Sequence, residues 1–212
     1  MRYVRSSVKL GYLLVLLIAV LVAVSACGTA GQAKNVFESS DLRGAVINPP
    51  RQLTDFTFAS TTGDPFQLSQ HHGQTILLYF GYRSCPDFCP TTFAELKQVY
   101  EKLNSPKDKL KIVFVTVDPD RDTVENLTPY TQAFNQDFIG LRDDGPALKT
   151  LMDEFGVVAT KRQVGDSALS YLIDHTASVF LIDENGDLRM QYLYGTDYRD
   201  IVHDLQIVLQ QA

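Results

Sequence analysis

The sequence predicts an α/β fold, in which helices cover both faces of a central mixed sheet and a short strand pair precedes it. Three apolar runs have the length and the β-branched and aromatic content of buried strands, at residues 75–80, 111–117 and 178–182. Segments with helical spacing of apolar residues separate these runs and follow the last one. Buried strands that alternate with helices are typical of a sheet covered on both faces.

The strand pair and the first buried strand open the domain. The segments "DFTFAS" and "FQL" predict two short strands, joined by a turn at Gly63-Asp64-Pro65. The buried strand "TILLYF" runs from Thr75 to Phe80. A helix is then predicted to begin near Pro90 to Thr92, with an apolar stripe of Phe93, Leu96, Tyr100 and Leu103.

The second half of the chain repeats the alternation. The strand "KIVFVTV" is followed by a helix over 123–134, a strand near "FIGLR" and a helix "PALKTLMDEFG" that ends at Gly156. Two short strands precede the strand "SVFLI", which turns at Asn185-Gly186 into "DLRMQYLYG". A last amphipathic helix carries Tyr198, Ile201, Leu205 and Val208.

The N-terminus has the pattern of a targeting segment. Arg2, Arg5 and Lys9 precede the apolar run 10–24, and small residues in "VSACG" lead into Cys27, which resembles a bacterial lipobox. We expect a lipoprotein signal peptide at 1–26, a lipidated N-terminus and flexible tether at 27–50, and the folded domain at 51–212. The alternative is an uncleaved anchor helix, although the run is short for the roughly 20 residues that span a bilayer. Both interpretations place the domain outside the cytoplasm, at a membrane.

Composition and charge limit the classes of partner. The chain has 212 residues, of which 45% are hydrophobic, and this suits one domain with a real core. Loss of residues 1–26, which hold three basic and no acidic residues, changes the formal net charge from −6 to −9. Such a surface disfavours nucleic acid and anionic lipid and favours a cationic protein partner, although acidity also keeps many secreted domains soluble.

The stretch "FGYRSCPDFCP" holds the two cysteines that remain once Cys27 is lipidated, so the chain is not a disulfide scaffold. Cys85 and Cys89 follow a buried strand and precede a helix, where backbone N–H groups and the helix dipole stabilise thiolates. In helical conformation residues four apart share a face, so both sulfurs could reach one ion. A redox disulfide, a metal site and a stapled loop all remain possible interpretations of the pair.

Four histidines are candidates for a third ligand. His71 and His72 belong to the polar turn "SQHHGQT", and His203 is expected on the outer side of the last helix. His175 lies at the start of the 178–182 strand, on the loop that faces the cysteine pair in thioredoxin-like folds.

Three blocks together resemble the Sco (SenC) family of copper chaperones, which are thioredoxin-like: "FGYRSCPDFCP", "VTVDPDRDT" and "LIDHTASVFLID". The resemblance covers roughly residues 45–212. It implies that Cys85, Cys89 and His175 bind copper and that the protein helps to assemble the copper A centre of cytochrome c oxidase. The implied partners are the oxidase subunit that carries this centre and other copper chaperones or thiol reductants. Two thiolates and an imidazole suit Cu(I), and Cu(II) if a weak ligand joins, whereas structural zinc usually takes four protein ligands.

Neighbouring residues are expected to support the ligands. Asp118 ends the 111–117 strand at the edge where parallel sheets place their sites, although it could simply begin the next helix. Asp174 is expected to orient the imidazole of His175. Tyr82, Pro86 and Pro90 are expected to shape the loop, and Arg83 stands where the family usually carries Thr.

A thiol-disulfide reductase that keeps the client's copper-ligating cysteines reduced is the alternative function, with Cys85 and Cys89 as its redox disulfide. Against it, the segment "TASV" before the 178–182 strand lacks the proline that thioredoxins place there. A peroxidase is disfavoured because no Thr stands two residues before Cys85. We therefore expect a metallochaperone rather than an enzyme, with oxidoreductase activity as the open alternative.

Overall fold

The computed structural model describes residue 37 and residues 41–103 and 107–210. The predicted signal peptide and Cys27 lie outside these residues. The strands are β1 Ala45–Gln52, β2 Thr57–Ser60, β3 Phe66–Gln67, β4 Thr75–Gly81, β5 Leu110–Thr116, β6 Ile139–Arg142, β7 Ala159–Gln163, β8 Tyr171–His175, β9 Ser178–Ile182 and β10 Asp187–Leu193. The α-helices are α1 Phe88–Lys102, α2 Val124–Gln132, α3 Pro146–Phe155 and α4 Tyr198–Gln210, with short 3-10 helices at Leu68–His71 and Lys107–Lys109.

The central sheet is mixed and has the strand order β1-β10-β9-β4-β5-β6-β2-β3. Strands β4, β5 and β6 are parallel, whereas the flanking pairs are antiparallel. Strands β7 and β8 form a separate antiparallel hairpin. The predicted short pair β2 and β3 is present and joins the central sheet through β6.

Helices cover both faces of the sheet, as consecutive residues of β4 show. Successive side chains of a strand point to opposite faces. The ring of Tyr79 lies 6.1 Å from that of Phe93 in α1, and the ring of Phe80 lies 5.3 Å from that of Phe155 in α3. The predicted thioredoxin-like class, a mixed sheet between two helical layers, is thus confirmed.

The strand register brings three loops to one edge of the sheet. Gly81 at the end of β4 pairs with Thr116 at the end of its parallel neighbour β5. Tyr79 pairs with Val179 near the start of the antiparallel strand β9. The loop after β4, the loop after β5 and the segment before β9 therefore meet, and they carry Cys85, Asp118 and His175.

The predicted domain boundary at residue 51 is wrong, because β1 already belongs to the sheet. Ala45 pairs with Gln191, and the register shifts between Val46 and Arg51, where Pro49 and Pro50 lie. Prolines indicate a linker, but an irregular edge strand tolerates them because it does not need every N–H group. The folded domain therefore begins no later than Ala45 rather than after the two prolines.

In the part of the chain that the structure describes, no helix is both long and apolar enough to cross a membrane.

Candidate metal centre

Two sulfurs and one imidazole converge at the edge of the sheet where the three loops meet. One ligand atom each from Cys85, Cys89 and His175 lie within 4.8 Å of one another. The Sγ atom of Cys89 is 3.5 Å from Nε2 of His175, across 86 positions of sequence. Both cysteines are buried thiols and His175 is half-buried, so the site opens to solvent on the histidine side.

The two cysteines lie on different local structures. Helix α1 begins at Phe88, two residues earlier than predicted, because Pro90 in a first turn has no N–H group that needs a partner. Cys89 is therefore in the first turn of α1, while Cys85 lies in the preceding turn and donates its N–H to the carbonyl of Tyr82 at 3.1 Å. The prediction that both cysteines share one helical face is wrong for Cys85, although their sulfurs do converge.

A glycine leaves room for the sulfur of Cys89. A Cβ atom at Gly81 would lie 2.8 Å from Sγ of Cys89 and 2.7 Å from the ring of Phe114. Real Cβ atoms do not approach so closely, so the end of β4 must lack a side chain for Cys89 to occupy its buried position.

The cysteines share one proton unequally. A hydrogen bond from the Cys89 thiol to the sulfur of Cys85 lowers the pKa of Cys85, and backbone N–H groups at the start of α1 lower it further, against the effect of burial. The same hydrogen bond, together with burial, raises the pKa of Cys89. The metal-free pair is thus a thiolate beside a thiol, and a metal that binds both sulfurs displaces the proton of Cys89.

A backbone carbonyl orients the imidazole of His175. Its Nδ1 lies 3.1 Å from the carbonyl oxygen of Thr176. A carbonyl can only accept, so Nδ1 carries the proton, and Nε2 of the neutral ring presents a lone pair to the sulfurs. Hydrogen bonds of this kind fix the tautomer of metal-binding histidines.

Asp174, which we expected to orient this ring, has a different partner. Its carboxylate accepts from Nε of Arg162 at 2.9 Å, and this hydrogen bond lowers the pKa of Asp174. Its side chain is 61% exposed. Asp174 and His175 are consecutive residues of β8, so their side chains point to opposite faces. The expected orienting role therefore belongs to the carbonyl of Thr176.

Asp118 supports the site through β8 rather than by contact with a ligand. Its buried carboxylate accepts from the hydroxyl of Tyr171 at 2.6 Å and from Nε of Arg121 at 2.5 Å. Tyr171 is the first residue of β8, and His175 is the last. Asp118 therefore fixes the strand that delivers the histidine.

The carboxylate that contacts the cysteine loop is Asp122, which the sequence analysis did not single out. Its Oδ2 accepts from the backbone N–H of Arg83 at 2.9 Å and from the hydroxyl of Thr116 at 2.7 Å. Burial raises its pKa, and Nε of Arg83 lies 3.9 Å from Oδ1. Its position after the end of β5 was the available signal, and the next residue, Thr123, caps α2.

Two tyrosines enclose the histidine. The hydroxyl of the buried Tyr79 donates to Sγ of Cys89 at 3.6 Å. The hydroxyl of Tyr82 accepts from the N–H of Ile173 at 3.2 Å and so connects the cysteine loop to β8. Their rings lie 6.1 and 5.8 Å from the ring of His175, both edge-on. From the sequence, we expected Tyr82 to shape the loop. We did not single out Tyr79, which has the sequence pattern of an ordinary core residue in a strand.

The other histidines lie away from this group. His71 stacks on Phe66 with ring centroids 4.2 Å apart, and Nδ1 of His203 lies 3.0 Å from Asp204. His72 is exposed. They therefore do not complete the cysteine pair.

The donor set fits a soft metal ion. Thiolates select Cu(I), zinc or iron–sulfur clusters, and an imidazole also suits Cu(II). With three protein donors, a coordination position remains for an external ligand. The same two sulfurs are also close enough to exchange with a disulfide.

Comparisons with known proteins show which family this chain belongs to. The SCO1/SenC family model matches residues 45–210. A SCO2-like protein of Rickettsia felis is 33% identical over 152 residues, which are 72% of this chain and 74% of that protein. The solution structure of apo Sco1 from Thermus thermophilus is 37% identical, with a TM-score of 0.70, and covers 79% of this chain and 97% of its own. ScoI of Bradyrhizobium japonicum, solved with copper bound, is 28% identical, with a TM-score of 0.68, over 74% of this chain and 99% of its own.

Proposed function

Because the chain belongs to the SCO1/SenC family, we propose that it is a membrane-tethered chaperone that binds copper through Cys85, Cys89 and His175. It delivers this copper to the binuclear copper A centre of cytochrome c oxidase. The observation that carries the proposal is the convergence of two sulfurs and a correctly oriented imidazole Nε2 within 4.8 Å.

The three donors have distinct tasks toward the copper ion. The two sulfurs grip Cu(I), and the imidazole adds the nitrogen that Cu(II) prefers. His175 is the half-buried ligand, so a client's ligand approaches the metal from its side. Copper can then pass by ligand exchange without release into water.

Lipidation of Cys27 confines the domain to the outer face of the membrane, where the oxidase subunit is also anchored. Confinement to one surface raises the effective concentration of donor and client. Other copper chaperones supply the metal, and thiol reductants keep the cysteine pair reduced.

Copper titration of the full chain in mild detergent tests the proposal. We expect one tightly bound Cu(I) per chain after reduction and little binding after oxidation of the cysteine pair. The His72→Ala variant, which alters an exposed histidine, is the matched control and should bind as the wild type does. Negligible copper affinity of the reduced protein would overturn the chaperone function.

A thiol-disulfide reductase remains the second candidate, because the Cys85 thiolate lies beside the Cys89 thiol. The Cys85 thiolate attacks a client disulfide and forms a mixed disulfide with it. Cys89 then loses its proton and attacks the sulfur of Cys85, which releases the client as a dithiol. The client gains two electrons, the Cys85–Cys89 pair loses them, and an external thiol reductant restores the pair. Fast exchange with a client disulfide, without copper affinity, would favour this function.

A further inference from the structure

A groove of about 410 Å³ is lined in part by residues that follow two of the proposed metal ligands in the chain. It lies between α1, the end of β10 and the start of α4. Its lining includes Thr91, two residues after Cys89, and Ala177, two residues after His175. The groove therefore continues the surface from which a client reaches the metal.

The rim of the groove is apolar and exposed. Phe88, which lies between Cys85 and Cys89 in the chain, is 46% exposed, and Tyr194 is 44% exposed. Their rings pack edge to face with centroids 4.7 Å apart, and Leu193 beside them is 66% exposed. A contiguous patch of two aromatic rings and a leucine next to a metal site is typical of a protein interaction surface.

The wall of the groove carries an acceptor that lacks a donor. Glu95 lines the groove, and its Oε2 is buried and has no hydrogen-bond partner among the described residues. The other charges in the wall, Asp197 and Arg199, are paired with each other at 2.6 Å. The groove thus presents one carboxylate oxygen without a donor, in a chain whose net charge is −6. A buried acceptor without a donor is costly, and a donor or cation from a partner would remove this cost.

We propose that this groove and its rim, formed by Phe88, Leu193, Tyr194 and Glu95, are the surface on which the copper-accepting protein docks. The inference rests on the proposed chaperone function, since direct ligand exchange requires the client's sulfurs at the edge of the Cys85 and His175 site. The partner inserts an apolar side chain against Leu193 and Tyr194, and places a Lys or Arg side chain next to Glu95. Its recognition element is thus a basic residue beside an apolar one, close to its own copper-binding cysteines.

Binding and copper transfer to the copper-free copper A domain of the oxidase subunit test the proposal, with the full chain in mild detergent. Leu193→Ser removes an exposed apolar contact, and Glu95→Gln removes the charge while keeping the shape. Each should weaken binding to the domain about tenfold and slow copper transfer, while Cu(I) affinity stays at the wild-type value. Leu169→Ser is the matched control, since Leu169 is 65% exposed at the β7–β8 hairpin and outside the groove. It should leave binding, transfer and copper affinity unchanged.

The outcomes separate the inference from the function on which it rests. If both variants bind the domain and transfer copper as the wild type does, the proposed docking surface is wrong, while the chaperone function is unaffected. A wild type that binds copper but neither binds the domain nor transfers copper would overturn both. A self-association of the chain that Leu193→Ser abolishes would assign the groove to a second copy and overturn the proposed partner.

Discussion

Each donor atom at the metal centre is held by a different local interaction. The sulfur of Cys85 accepts a hydrogen bond from the Cys89 thiol, and the sulfur of Cys89 accepts one from Tyr79. The Nδ1–H group of His175 is bound to the carbonyl of Thr176, which leaves Nε2 for the metal. The donors are therefore positioned before any metal arrives.

Cys85→Ser and Cys89→Ser should each abolish tight Cu(I) binding without unfolding the domain. The four-residue separation constrains the unfolded chain little, so neither thiol is needed as a staple. We expect the Cu(I) affinity to fall by more than the roughly 10–100-fold that follows when a residue hydrogen-bonded to a metal ligand is removed. Competition with a Cu(I) chelator measures the affinity, and circular dichroism monitors the fold. Native affinity in either variant would contradict a two-thiolate site.

The thiolate of Cys85 should persist in acid. Because its folded-state pKa is lowered, the ultraviolet thiolate absorbance of the metal-free protein should change little between about pH 8 and pH 5. For an ordinary thiol with a pKa near 8.5, the thiolate fraction falls about tenfold for each pH unit that the pH is lowered in this range. Cys89→Ala removes the principal hydrogen-bond donor and should restore ordinary titration. Ordinary titration in the wild type would show that the pair does not share its proton as described.

The convergence of two sulfurs and an imidazole was predictable from sequence, while the residues that support this group were largely not. Two thiols at the entry to a helix and one histidine before a strand indicate metal chemistry from residue type and position. Tyr79 could not be recognised, because a tyrosine in an apolar strand has the same pattern as a core aromatic. Which aspartate reaches the cysteine loop depends on the turn after β5, and this turn selects Asp122 rather than Asp118.

Among the elements, the β7–β8 hairpin is the one that delivers the histidine, although it lies outside the central sheet. Its anchor is a small cluster at Tyr171. The guanidinium of Arg121 lies 3.7 Å from the centroid of the Tyr171 ring and donates to its carbonyl at 2.8 Å, while Asp118 accepts from its hydroxyl. The position of His175 therefore depends on contacts at the opposite end of β8.

Tyr171→Phe should loosen this hairpin while leaving all three ligands in place. It removes a hydrogen bond to a buried carboxylate, which costs about 1.5–3 kcal/mol. We expect a lower free energy of unfolding in urea and a weaker Cu(II) affinity, with Cu(I) affinity nearly unchanged because the sulfurs lie on another element. Tyr194→Phe, which alters an exposed tyrosine just after β10, is the control. Equal losses of Cu(I) and Cu(II) affinity in Tyr171→Phe would indicate that the cluster supports the whole site.

Over the whole molecule, the alternation of buried strands and helices predicted the layers and the edge at which the site forms. It did not predict β1, because the signal of two prolines dominates a short segment, and pairing with β10 depends on contacts about 140 positions away. The start of α1 was missed for a similar reason, since a proline is compatible with both the start and the first turn of a helix.

Cys27→Ala should release the chain from the membrane fraction or block its processing, and should leave the domain folded. The reason is the "VSAC" end of the apolar run, whose cysteine is the predicted lipid attachment site. Fractionation and mass spectrometry of the N-terminus provide the measurement. A variant that is cleaved at the same place and still anchored would point to another mode of attachment.

The most direct test of the three-ligand copper site is the Cu(II) absorption spectrum of His175→Ala, recorded beside its rate of disulfide exchange with small thiols. Two sulfurs remain in this variant and still grip Cu(I), whereas Cu(II) loses its nitrogen donor. We predict that the Cu(II) spectrum is lost or strongly altered while exchange of the Cys85–Cys89 disulfide persists, and that His72→Ala keeps the wild-type spectrum. An unaltered Cu(II) spectrum in His175→Ala would remove the histidine from the site and leave the reductase as the better account.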